Sequence, residues 1–508
     1  MKRNKSFCSI LMAGVILVSG ALTSCNMNGS KEEKETISIL AKNSWYTTID
    51  YEQCPIIQQV EEDSGYSINW NLRQPSSYYD AVRPLLMSDS SGLSDIIQLT
   101  DLDTNMEYIK AETFTALDEY MELMPNFRSF LDENPEIEAS LTTEDGHIYY
   151  VPQTVLTVNY QPCLMYNQTW LEKAGISQPS NLEEFVNMLR IYSENDMNGN
   201  GDTGDEVPMS VMADFLPYMF GPAFGLDLVS GFYGDDDNVV HYSYCDEVNY
   251  KKFLNFLSGL YNEGLLEKSY ETLTRQDITK RCAQDETGVI FDYSWQLSSL
   301  YDAQYPDYNG SNPVFKAGKP LSGEYDGYYI GRNAISGLFG VNAASGNIQN
   351  AVKLLDILMG ENMQTLYSWG MDYEVDDEGN KYYTKDTQDD TYLQNQGINP
   401  ICVPSQQSVA ATDEFVPFWH RKQDKMLAQF VKAPFPFIYA TEMEAEIING
   451  YENYIANYVN QERNNFIAGR KDLNTFEDYI KVLYDMNIEK IIQVKQQQYE
   501  RYLKIKSK

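Results

Sequence analysis

Short apolar runs alternate with stretches at helical spacing along most of the chain. Residues 37–40 (Ile-Ser-Ile-Leu) predict a strand, 54–62 a helix with Ile56, Ile57 and Val60 on one face, and 67–71 a second strand. Residues 79–87 predict another helix and 95–99 a buried strand. Asp145-Gly146 marks a turn leading into a strand over 147–152. From Met165 the pattern reads strand then helix, with Trp170 and Leu171 inside the helix. Ser180 and Glu183 have the spacing of a capping box, and Leu182, Phe185, Val186 and Leu189 follow at helical intervals. Strands separated by helices in this order predict an α/β architecture with parallel pairs.

Farther along, 288–292 and 337–341 predict short buried strands, and 348–359 a helix carrying Val352, Leu355 and Leu358. The last third is mostly helical. Thr441 and Glu444 form a second capping box, followed by a stripe of Tyr451, Tyr454, Ile455, Tyr458 and Val459. Helices over 476–484 and 488–503 complete the pattern. The length corresponds to two or three lobes at about 150 residues each.

The first residues have a different character. Lys2, Arg3 and Lys5 precede an apolar run over 7–21, which is shorter than the roughly 20 apolar residues of a membrane span. Leu22-Thr23-Ser24-Cys25 then resembles a bacterial lipobox. That resemblance implies a signal peptide over 1–24, diacylglycerol on Cys25, and a protein held by acyl chains at the outer face of the cell membrane. Residues 26–36 are polar and without periodicity, so 25–36 reads as a tether.

Composition removes several classes. The net charge of −36 and the lack of a basic stripe exclude a nucleic-acid partner. Cys54, Cys163, Cys245, Cys282 and Cys402 include no C-x-x-C pair, so they read as small core residues. His147, His241 and His420 give little material for a His-based metal site or a Ser-His-Asp hydrolase.

Five ordered runs behind the lipobox resemble the extracellular solute-binding proteins of sugar ABC importers, in their Gram-positive lipoprotein branch. They are 166–175 (YNQTWLEKAG) followed by 179–185; the loop 196–208; 95–98 with Asp145-Gly146 and 149–152; 337–358; and Phe466-Ile467-Ala468-Gly469 with Tyr479, Leu483, Met486, Tyr499 and Tyr502. The resemblance implies a type II two-lobed periplasmic-binding-protein-like fold, α/β in each lobe, with three hinge crossings and a helical C-terminal region. It places the first lobe at 37–153 and 338–400, and the second at 154–337 and 401–508. Crossings are expected near 151–157, 336–341 and 395–404. It also implies capture of a carbohydrate, expected to be an oligosaccharide, by lobe closure, with delivery to ABC permease subunits by a monomer that does no catalysis.

The loop Asp196-Met197-Asn198-Gly199-Asn200-Gly201-Asp202 sets oxygen-bearing side chains at alternate positions, as in the first half of an EF-hand. Position 12 is Val207, which excludes a standard EF-hand. In the resembled family an Asp-Glu pair before a Pro closes this loop, and Asp205, Glu206 and Pro208 match it. The expectation is structural Ca²⁺ held by Asp196, Asn198, Asn200, Asp202, Asp205 and Glu206; the alternative is a metal-free polar turn.

A sugar needs flat aromatic platforms and polar rims. Ligands of open α/β sheets sit at strand carboxyl ends. That rule selects Trp45 after the first strand, Asp101 after 95–99, Asp292 as the last residue of 288–292, and Tyr293 and Trp295 just beyond it. The resembled family often places a sugar-stacking Trp at the position of Trp295. Phe215 and Tyr218, in the Gly- and Pro-broken run 215–224, and Trp369 before Gly370 join them as candidates. The alternative for each is a buried structural aromatic. Two other functions fit a cleft: a surface glycoside hydrolase, which needs a spaced carboxylate pair that nothing marks, and a peptide- or other solute-binding protein on the same scaffold.

Overall fold

The structure is a computed structural model and describes residues 34–44, 47–88, 92–99, 109, 112–155, 162–297, 300, 314–384, 390–406, 408–415 and 418–507. Among them lie two separate sheets, each with its own hydrophobic core.

The first sheet has five strands in the order Ser67–Arg73, Thr36–Lys42, Ile96–Leu99, Ile335–Val341, Tyr150–Thr154. The first three run parallel, and Ile335–Val341 runs antiparallel to both of its neighbours. Parallel neighbours need a long crossover. The helices Pro55–Ser64 and Tyr78–Leu86 supply it. The first begins on a proline, whose missing N–H is unneeded there, and ends at Gly65 with φ of 76°. It buries Ile56, Ile57 and Val60, the face foreseen from spacing. Every residue of Ile96–Leu99 is buried, as in a strand covered on both faces.

The second sheet has four strands in the order Phe315–Ala317, Pro162–Asn167, Thr287–Tyr293, Val207–Ser210. Only the last pair is parallel. Sequence pattern anticipated parallel pairing; both sheets are in fact mixed. Helix Gln168–Ala174 starts at Asn167, whose side chain accepts the N–H groups of Thr169 and Trp170. Trp170 and Tyr192 lie across Gly288, where a Cβ would come within 2.7 Å of both rings, so only glycine fits this strand position. Trp170 is therefore core, as its mid-helix position implied.

Three chain passages meet beside the edge strand of the first sheet. The Thr154 N–H donates to Ser405 O (2.9 Å), and the Val155 N–H donates to Ala334 O (2.8 Å). The chain passes between the two cores near these three points, and it passes again around 427–455, where Leu427 packs in the second core, Tyr439 in the first and Ile455 in the second. Ala334 and Ile335 already pack on the first core, so the second crossing precedes residue 335 instead of falling at 336–341. The segment 401–508, expected in the second lobe, is divided. Cys402, Val403, Ala411 and Tyr439 are buried in the first core, while Leu427, Ile455, Phe466 and Tyr479 are buried in the second. Buried glutamines hold the 400–405 stretch to the first sheet. Gln98 Nε2 donates to Ile401 O (2.7 Å), and Gln153 Nε2 donates to Pro400 O (3.0 Å) and Ser405 Oγ (2.9 Å).

The C-terminal helices are long. Glu442–Ile467 opens with the Thr441–Glu444 capping box, both halves of which form. Ile488–Lys506 begins in the second core through Ile488 and Ile491. Near its other end Tyr502 packs with Ala139 of helix Pro135–Leu141 and with Ile438. The five cysteines among the described residues are free thiols, four of them buried and Cys245 partly so. No helix among the described residues is long and apolar enough to cross a membrane.

Candidate functional site

Strand Thr287–Tyr293 ends in Asp292 and Tyr293, and Ser294 and Trp295 follow in a turn. Trp295 is 41% exposed, the most open of the described tryptophans with a wide free face. Asp292 is the reverse, at 2% exposure. Its carboxylate takes a two-pronged ion pair from Arg275, Nε at 2.7 Å and Nη2 at 2.8 Å. The same carboxylate accepts the Tyr293 N–H at 2.7 Å. The bidentate geometry fixes the plane of the guanidinium, and the hydrogen bond to Asp292 raises its pKa further above the ordinary range. The guanidinium carbon lies 5.6 Å from the Trp295 ring and 5.8 Å from the Tyr293 ring, within cation–π range.

Arg275 was not foreseen. It opens helix Arg275–Ala283, whose Thr274–Asp277 capping box is the signal that sequence carries for that helix start. Nothing in the spacing links it to Asp292, seventeen residues on. Asp292 thus holds Arg275 in place and has no open oxygen to offer as a rim group.

Phe215 is buried (7% exposed) and edge-on to Tyr293 at 5.7 Å, to Phe291 at 5.8 Å and to Tyr218 at 5.8 Å. It supports the platform from beneath. Tyr218 is half-buried, and burial raises its hydroxyl pKa. The run 213–224 forms short 3-10 and α turns, Ala213–Phe215, Leu216–Phe220 and Gly221–Phe224, in keeping with its Gly and Pro content. Trp295, Tyr293, Arg275, Phe215 and Tyr218 therefore form one continuous aromatic shelf on the second lobe.

Trp369 does not join them. It is 6% exposed and sits in the first core, 5.0 Å from Tyr383 and 6.3 Å from Tyr373. Its indole is packing, and the expectation of a ligand face there is corrected. Trp45, Asp101 and Cys25 lie outside the described residues. Around the carboxyl ends of Thr36–Lys42 and Ser67–Arg73 the first lobe carries a polar hollow of about 690 Å³, lined by Asn43, Ser44, Thr47, Asp50, Gln74 and Ser76 among others.

The loop 196–206 folds around its own carboxylates. Asp196 accepts the N–H groups of Gly199 (2.6 Å) and Gly201 (3.0 Å), both glycines at positive φ. Burial works against its charged form, but these backbone donors and Lys173 lower its pKa overall. Asp205 Oδ2 takes the side-chain Nδ2 of Asn198 (3.2 Å) and of Asn200 (2.6 Å). Glu206 Oε1 takes the Met197 N–H at 2.8 Å. Asp205 Oδ1 and Glu206 Oε2 are buried with no hydrogen-bond partner. Buried carboxylate oxygens without a partner call for an explanation, and oxygen donors are the type that a hard cation takes. No group of three or more His, Cys, Asp or Glu side chains among the described residues is arranged to hold a metal, so any site here depends on the Asn amides and backbone oxygens as well.

Two mixed α/β units, each with its own core, have the fold of a two-lobed solute-binding protein. The chain belongs to the bacterial extracellular solute-binding protein family, whose model matches residues 50–365. It is 24% identical over 515 residues to the fructooligosaccharide ABC transporter substrate-binding protein FusA of Streptococcus pneumoniae, covering 93% of this chain and 91% of that protein. The FusA structure in complex with kestose aligns at a TM-score of 0.73 with 20% identity, covering 92% of this chain and all of that one; another FusA structure is of an EF-hand mutant. Lipoprotein LipO of Bacillus subtilis is 20% identical over 492 residues, 93% of this chain and 94% of that protein. An HMO-binding, ABC-transporter-associated solute-binding protein from Bifidobacterium longum infantis aligns at a TM-score of 0.72 with 19% identity, covering 92% of this chain and 99% of that one.

Proposed function

We propose that this protein captures an oligosaccharide outside the cell and presents it to an ABC importer. The observation that carries the reading is the exposed Trp295 face, locked beside Arg275 and Tyr293 at the end of a buried strand. A sugar ring stacks its C–H face on such a plane, and the guanidinium donates to its hydroxyls. The polar hollow at the strand ends of the first lobe is the proposed second contact. Solute that touches both lobes favours the closed arrangement, and the three crossings at Thr154, Ala334 and Ser405 are the proposed hinge. FusA and the HMO-binding protein support the choice of solute class.

Attachment through diacylglycerol at Cys25 and a monomeric state complete the proposal, and LipO supports the lipoprotein reading. Calcium is proposed in the loop 196–206. Asp196, Asn198, Asn200, Asp202, Asp205 and Glu206 would hold it, and it would neutralise the buried carboxylates without taking part in any chemistry. No catalysis is proposed: the buried carboxylate of the shelf, Asp292, is consumed by Arg275.

The test is a thermal-shift screen against fructans, milk-type oligosaccharides and peptides. Ligand binding adds RT ln(1 + [L]/Kd) to stability. A raised midpoint with glycans and none with peptides is expected. A raised midpoint with peptides alone, or release of reducing sugar from any glycan, overturns the reading.

A further inference from the structure

A second cavity adjoins the shelf. It has a volume of about 390 Å³ and lies in the second lobe, between helix Glu442–Ile467, the hairpin Phe232–Gly234/Val240–Tyr242 and the loop that carries Asp214 and Tyr218. Tyr218 belongs to both places: it lines the cavity and meets Phe215 of the shelf at 5.8 Å.

The wall of this cavity holds Arg463, whose side chain is 3% exposed. Its Nε is buried and has no hydrogen-bond partner. Elsewhere the guanidinium hydrogen-bonds the Tyr244 side chain, which pulls against the burial that raises that hydroxyl's pKa to about 12. The one carboxylate paired with it is Asp214, at 3.8 Å and 95% exposed. A buried guanidinium is costly unless a carboxylate meets it in good geometry. Asp214 does not: it is too far for a hydrogen bond and is immersed in water, which screens it. The other acid of the lining, Glu452, faces Lys495 Nζ at 3.8 Å. A buried acid, Asp227, also lies beside this lining, but its carboxylate is already met by the Val229 and Ser230 N–H groups and the Ser230 hydroxyl, whereas Arg463 Nε has no such partner.

We propose that this cavity is a subsite for the carboxylate of an acidic sugar unit, received by Arg463, and that the captured glycan is therefore an acidic oligosaccharide. The proposal rests on the carbohydrate reading above. The Nε that lacks a partner donates to one carboxylate oxygen. Asp214 swings out of the way, which its exposure permits. Asn453 and Asn460 of the same helix face the cavity for the ring hydroxyls. Tyr218 passes the next unit onto the Trp295 shelf.

The experiment compares, by calorimetry on the full chain, a neutral disaccharide with its 6-carboxylate counterpart of the same linkage, and longer members of both series. The carboxylate form is expected to bind more tightly by about tenfold or more, equal to about 1.4 kcal/mol. Arg463→Gln should bring the ratio close to one. Asp214→Ala, at an exposed position that does not threaten folding, should widen the ratio by removing the competing acid. Equal affinity for the two forms in the wild type, or a ratio that Asp214→Ala leaves unchanged, overturns the subsite while leaving neutral-sugar capture standing. Failure of both series to bind overturns the carbohydrate reading and the subsite with it.

Discussion

Replacing Trp295 by alanine separates a ligand platform from a core tryptophan. An aromatic side chain buries roughly 150–250 Å² when fully covered. At 41% exposure, about 60–100 Å² of Trp295 remains for a ligand to cover, worth about 1.5–2.5 kcal/mol at ~25 cal/mol per Å². Trp295→Ala should therefore weaken glycan binding by about ten- to seventyfold. The free protein should lose much less than the ~3–5 kcal/mol typical of a buried tryptophan, because the ring already faces water over much of its surface. Trp170, fully buried beneath Gly288, provides the contrast. Calorimetric titration with the best ligand of the screen gives the first quantity, and urea unfolding of the unliganded protein gives the second. Unchanged affinity in a folded Trp295→Ala variant refutes the assignment. So does a stability loss as large as that of Trp170→Ala.

Three further outcomes are expected, two from the geometry and one from the sequence around Cys25. Chelation should lower the melting midpoint of calcium-loaded protein, and Asp205→Asn should abolish that difference; equal melting with and without chelator would exclude the cation. Cys25→Ser should leave the protein unprocessed or move it to the medium, as fractionation and mass spectrometry can show; retention with an intact acyl mass would refute lipidation there. Glu444 is buried, bonded by Arg501 at 2.7 Å through both nitrogens, and accepts the Thr441 N–H. Burial raises its pKa, but Arg501 and Thr441 outweigh that and hold it below the usual range. The pair's stabilisation is thus present above the unfolded carboxylate value of about 4.3 and fades as pH falls through the lower folded value. Glu444→Gln should melt lower than wild type at neutral pH, and the two should converge in acid; a gap that persists at low pH would show that charge is not the cause.

Much of the architecture was legible because short apolar runs and helix caps are local signals. The strand expected at 288–292 is Thr287–Tyr293, and the helix expected at 348–359 is Ile348–Met359. The capping box expected at Ser180 is displaced by one residue: Asn181 caps the helix, and the Glu184 carboxylate reaches back to Ser180. The division of 401–508 between two cores was hidden, because Cys402 and Leu427 have the same apolar character and only tertiary packing assigns them. The shelf was half legible. Strand-end position pointed to Trp295 but could not tell it from Trp369, since exposure is decided by what packs above. Arg275 and Arg463 escaped because their significance depends on partners distant in sequence, or on the lack of one.

The position of Ile335–Val341 between Ile96–Leu99 and Tyr150–Thr154 also dictates an order of assembly. An interior strand of the first sheet is supplied by a segment that emerges more than two hundred residues after its partner strand begins. All four strands of the second sheet lie within 162–317 and can pair sooner. Contacts so remote in sequence close slowly. A chain emerging from its N-terminus passes through an interval in which the edge of the largely apolar strand Ile96–Leu99 is open, a ready template for wrong pairing. Pulse-labelled hydrogen exchange during refolding should find the amides of Thr287–Tyr293 protected while those of Ile96–Leu99 still exchange.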